Sequence, residues 1–109
     1  MIHDMIATTP IPPYYAVIFT SIHTESEENY SEMAKHMEEL AAVQPGYLGM
    51  ESARNEMGIT VSYWESLEAI RNWKNQAEHL VAQQKGKDVF YKQYKTRIAR
   101  VERDYGFDK

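Results

Sequence analysis

The sequence predicts an α+β domain of the ferredoxin-like type, with element order βαββαβ and one antiparallel sheet. Three observations carry that prediction. Four runs rich in β-branched and aromatic residues are separated by two segments of helical periodicity and one short link with turn residues at each end. The first run is apolar on both of its alternating faces, as expected for a strand covered on both sides. At 109 residues, with 43% hydrophobic and 26% charged, the chain has the length and balance of one globular domain.

Taken in order, residues 1–13 read as an extended N-terminal arm, and 14–109 as the domain. Pro10, Pro12 and Pro13 fix φ and remove backbone donors, while Met5, Ile6 and Ile11 give the arm apolar side chains to lay against a surface. Tyr14–His23 is the first, central strand. Thr24 with Glu27 matches a capping box, and Tyr30, Met33, Ala34, Met37, Leu40 and Ala41 then form the apolar stripe of a helix. Its wet face carries Glu32, Lys35, His36, Glu38 and Glu39, and Pro45-Gly46 ends it.

Residues 47–54 and 59–65 read as a hairpin joined by Asn55-Glu56-Met57-Gly58. Ser66 caps a second helix whose stripe is Leu67, Ile70, Trp73, Ala77, Leu80 and Val81, with Lys85-Gly86 as its stop. After a connector over 87–92, residues 93–104 form the last strand, with Tyr94, Thr96 and Ile98 on one face and Ala99 and Val101 on the other. Right-handed crossovers put both helices on one side of the sheet. The other side is left bare yet apolar, which calls for a second copy in an isologous homodimer.

Composition removes several classes of function. A net charge of −4 and the spaced Arg97, Arg100 and Arg103 give no dense basic patch, so nucleic acid is not an expected partner. The chain has no Cys, hence no disulfide framework and no thiolate nucleophile. It shows no secretory leader and no apolar run of membrane-spanning length, and is expected to be a soluble cytoplasmic protein. Phosphate-binding glycine loops and a serine elbow are missing. His36 and Glu39 could form half of a metal pair, but no second half appears, so no metal is expected.

Six segments, Tyr14–Ser21, Gln44–Gly49, Ile59–Leu67, Trp73, Ala77–His79 and Arg97–Arg103, resemble the antibiotic biosynthesis monooxygenase family in order and spacing, across residues 14–107. That resemblance implies a dimeric α+β barrel in which two ferredoxin-like sheets face each other. It also implies a choice of activities, since the family holds cofactor-free oxygenases of aromatic polyketides, haem-degrading enzymes and isomerase-like proteins. The haem-degrading branch uses an Asn on the first strand, a Trp on the second helix and a His ten residues further on. Here Trp73 matches, but the strand offers Phe19, Thr20 and Ser21, and the tenth position is Gln83, with His79 placed earlier. No cofactor is therefore expected, with haem as the alternative.

The expected reaction is cofactor-independent oxygenation of a small aromatic or quinol-type molecule. Such chemistry needs a base to form an electron-rich anion and an apolar lining to exclude water. His79 is the candidate base. Trp64, Trp73, Phe90, Tyr91 and Tyr94 are candidates for the lining, with Ser62, Tyr63 and Asn72 as polar groups toward the substrate. On one continuous helix His79 points away from the apolar stripe, so its role requires a break near Asn75. Aromatics at these spacings more often form a plain core. The alternative function is a non-catalytic dimeric module that sequesters a small apolar ligand.

Overall fold

The structure is a computed structural model describing residues 5–24, 27–83 and 90–109; the side chains of 27–29 also lie outside the description. Its elements are β1 (Tyr14–His23), α1 (Glu27–Ala42), β2 (Tyr47–Arg54), β3 (Gly58–Trp64), α2 (Leu67–Gln83) and β4 (Tyr91–Val101). The sheet has the order β2-β3-β1-β4 with every neighbouring pair antiparallel. This is the ferredoxin-like arrangement that the alternation of periods called for.

Local chemistry explains most boundaries. The Ser66 hydroxyl accepts a hydrogen bond from the Ala69 N–H at 3.1 Å, capping α2. Gly46 adopts φ +85°, and a Cβ there would come within 2.6 Å of the Ala69 methyl, so the turn after α1 is pressed against α2 at a glycine. Pairing decides the limits of β4. Its only partner among the described residues is β1, whose ladder stops at Tyr14 behind Pro12 and Pro13, which carry no N–H to donate. Hence β4 ends at Val101 rather than Asp104, and it begins at Tyr91 because β1 still offers His23 there. The Thr24–Glu27 capping box and the Lys85-Gly86 stop involve groups outside the described residues.

One face of the sheet carries both helices. Val17 and Trp64 from the sheet pack with Ala41 of α1 and with Ala69, Ile70 and Trp73 of α2 in a single buried cluster. Ala34, expected in the α1 stripe, is exposed, because Met33, Met37 and Ala41 recur every four residues and leave position 34 about 100° away. Helix α2 runs unbroken through Asn75. Burial of Ile70 and Trp73, with Ala77 half-buried in phase behind them, outweighs the weak helix propensity of one Asn.

The opposite face presents Ala16, Ile18, Thr20 and Ile22 of β1 beside Tyr63, Val61 and Ile59 of β3. The N-terminal arm crosses one end of it. The Ala7 N–H donates to Glu51 Oε2 at 2.9 Å, and the Thr9 hydroxyl donates to the Tyr14 hydroxyl at 3.0 Å. Met5, Ile6 and Ile11, expected to lie against a surface, are instead 77–91% exposed, since the arm is anchored by these polar groups. Beyond the arm, Ile22 and Ile59 remain uncovered. No described helix is long and apolar enough to cross a membrane.

Candidate functional site

The site is built on one cross-strand row. Strand register places Arg54 of β2 opposite Gly58 of β3, Gly58 opposite Ser21 of β1, and Ser21 opposite Tyr94 of β4. Alternation along the strands puts this row on the same face as Val17 and Trp64, the helix side. Arg54 reaches over Gly58 to Ser21, across two strand spacings of about 4.8 Å each. Any side chain at position 58 would collide with the guanidinium, so the glycine is what opens this path.

Arg54 Nη2 donates to Ser21 Oγ at 2.6 Å and to the Tyr30 hydroxyl at 2.8 Å, and its Cζ lies 4.6 Å from the centroid of the Tyr30 ring. Tyr30 is brought here by the first turns of α1. Its ring also stacks on His23 at 4.6 Å with the planes 19° apart. The Nδ1 of His23 lies 2.6 Å from the Thr24 carbonyl, which can only accept, so Nδ1 carries the proton and Nε2 is the acceptor of the neutral ring.

Aromatic rings complete this end of the interlayer. Tyr91 meets Tyr30 edge-on at 5.8 Å, Phe19 at 5.5 Å and Tyr94 at 5.4 Å. Phe90 lies behind, buried, 6.4 Å from Tyr91. Burial pushes the Tyr91 phenol well above its ordinary range, with Tyr30 adding to the rise and the Arg54 charge opposing it. At neutral pH it is therefore an uncharged hydroxyl. Tyr30, His23, Phe19 and Tyr91 are half-buried, while Arg54 and Tyr94 face solvent. The arrangement presents a cation, a ring nitrogen and a hydroxyl beside a wall of π surfaces.

The residues expected from sequence are split between four places. Phe90, Tyr91 and Tyr94 do converge here. Trp64 and Trp73 stack on each other at 5.7 Å inside the core, and Trp64 Nε1 donates to the buried Ser62 hydroxyl at 2.8 Å. Tyr63 lies on the opposite face of the sheet, where it donates to Glu51 Oε1 at 2.7 Å and meets Tyr14 edge-on. Asn72 and His79 are exposed on the unbroken α2. The break near Asn75 on which the role of His79 depended is absent.

Sequence reasoning missed Arg54, Tyr30, His23 and Ser21 as a group. A usable signal was present in the hairpin. With a three-residue link, pairing Arg54 to Gly58 follows from turn length, and a long cation opposite a glycine marks a side chain that crosses its neighbour strand.

The sequence profile of the antibiotic biosynthesis monooxygenase family matches residues 13–85. The chain belongs to that family. A relative, the uncharacterized protein YqjZ of Bacillus subtilis (strain 168), is 48% identical over 108 residues, covering 97% of this chain and 95% of its own length. Among solved structures, SnoaB, a cofactor-independent oxygenase from Streptomyces nogalater, superposes with a TM-score of 0.66 at 9% identity, over 90% of this chain and 100% of the other. PA3566 from Pseudomonas aeruginosa does so with a TM-score of 0.67 at 14% identity, over 88% and 99%. These last two similarities establish the fold. The family's haem-binding pattern fits poorly on these side chains, since Trp73 is packed into the core against Trp64 and His79 is exposed.

Proposed function

We propose that this family member is a cofactor-independent monooxygenase of small aromatic or quinol-type molecules, acting at the Arg54–Tyr30–His23 end of the interlayer. The observation that supports this reading is the meeting of an imidazole whose Nε2 has no partner among the described residues, a guanidinium and a ring-lined wall formed by Phe19, Tyr91 and Tyr94. In this reading His23, rather than His79, is the base.

The reaction needs only dioxygen as co-reactant. Nε2 of His23 removes a proton from the substrate, and Arg54 offsets the negative charge that develops on its oxygen. The anion passes one electron to O₂, the radical pair joins as a C–O bond to form a hydroperoxide, and loss of water leaves a carbonyl. For an anthrone-type methylene the balance is CH₂ + O₂ → C=O + H₂O. The aromatic wall limits water around the anion.

The working unit in this proposal is a homodimer joined through the open sheet face, where Ile22 and Ile59 are 38–39% exposed. Oxygen consumption with a panel of anthrones and naphthoquinols tests the activity. Uptake at a rate set by enzyme concentration, without added flavin, metal or haem, is the expected result; uptake no faster than buffer refutes it. A haemin titration serves as control, with an unshifted Soret band expected.

A further inference from the structure

We propose that the Arg54–Ser21–Tyr30 cluster is a carboxylate-recognition subsite, so that the ligand of this end of the interlayer is a planar hydroxyaromatic acid. The inference rests on the reading that a ligand occupies this end, but not on its oxygenation.

A guanidinium offers five N–H donors in a fixed plane. Both described hydrogen bonds of Arg54 leave from Nη2, one to Ser21 and one to Tyr30. The three remaining donors, two on Nη1 and one on Nε, have no protein acceptor among the described residues. Each of them can give a single charge-assisted hydrogen bond to a carboxylate oxygen. Among the described residues the hydrogen-bond partners of Arg54 are neutral hydroxyls and not carboxylates.

The neighbours hold the guanidinium in place. Ser21 is only 2% exposed and anchors Nη2 from below, Gly58 supplies the gap through which the side chain passes, and the Tyr30 ring lies along it. Each hydroxyl that accepts from Arg54 keeps its own hydrogen to donate. The half-buried Tyr30 can thus add a further bond to a bound anion. Phe19, Tyr91 and Tyr94 supply the surface for a flat ring attached to that carboxylate.

Isothermal titration with 1-hydroxy-2-naphthoate and with its methyl ester tests the subsite. The wild-type chain is expected to bind the acid about ten- to a hundred-fold more tightly than the ester, the range of one charge-assisted contact. Arg54→Gln is expected to bind both with the affinity the wild type shows for the ester. Arg54→Lys keeps the charge without the planar spread of donors and is expected to retain part of the preference. Its titration decides the matter if thermal melting shows the Gln variant unfolded. Equal binding of acid and ester by the wild type overturns the proposal. So does binding of neither probe, or an equal loss of both in a folded Arg54 variant. Acid preference without oxygen uptake upholds this subsite while refuting the oxygenase reading.

Discussion

Arg54 and Tyr30 touch twice, through a 2.8 Å hydrogen bond to the phenol oxygen and through a guanidinium 4.6 Å from the ring centroid. One side chain comes from the end of β2 and the other from the start of α1, so the contact joins the hairpin to the helix layer.

Gly58 should matter through Arg54 alone. Gly58→Ala places a methyl group where the guanidinium now lies and forces that flexible end aside. Relief of backbone entropy in the unfolded chain gives back about 0.5–1 kcal/mol, while loss of the bond to buried Ser21 costs about 1–2 kcal/mol. Urea unfolding should register a net loss near 1 kcal/mol, and acid-over-ester preference should disappear as it does in Arg54→Gln.

The two imidazoles separate cleanly. His23→Gln should lower the rate of oxygen uptake by about 10²–10⁴-fold, the usual worth of a positioned base. His79→Gln, on the exposed side of α2, should leave it within about twofold, because that side chain lies on the wet face of an unbroken helix. Steady-state oxygen-electrode rates on folded variants check both.

Trp64 carries the core. It is fully buried between Tyr47 and Trp73, at 5.5 and 5.7 Å. Trp64→Ala should cost about 3–5 kcal/mol, a large part of the stability of a domain this size. Denaturant midpoints measure the loss; a change below 1 kcal/mol would place the indole outside the load of the core.

Stability should decline in alkali. Burial comes first in lifting the phenols of Tyr63, Tyr91 and Tyr14, with Glu51 assisting at Tyr63 and Asp104 at Tyr14. The unfolded chain ionises near pH 10.0 while the folded phenols still hold their protons, so unfolding releases protons. The contribution is fully present below that pH and is lost as pH rises through the folded values. Melting temperature should fall above pH 10, less steeply in Tyr63→Phe and Tyr91→Phe.

Periodicity, read with turn and capping residue types, revealed the six elements, the Ser66 cap and the core roles of Ile70 and Trp73, because burial writes a repeat of two or near four into the chain. Its reach stopped at side chains whose work depends on pairing. Arg54 looks like the last polar residue of a strand, Tyr30 like one more member of a helical stripe, and His23 like a strand end. Only the register Arg54–Gly58–Ser21, with the α1 N-terminal turns above it, brings them together. His79 drew attention for the opposite reason: it stands near Trp73 in sequence, but the unbroken α2 turns it away.

The stacked indoles give the chain an optical division of labour. Trp64 stands six residues along β3 from Gly58, about 20 Å of extended strand. The wavelength of indole emission should therefore report whether the helices still sit on the sheet, and should not move when the tyrosine-lined end fills. The phenols of Tyr30, Tyr91 and Tyr94 read the other event. Unfolding and occupancy can be followed in one cuvette at two excitation wavelengths, with no label attached.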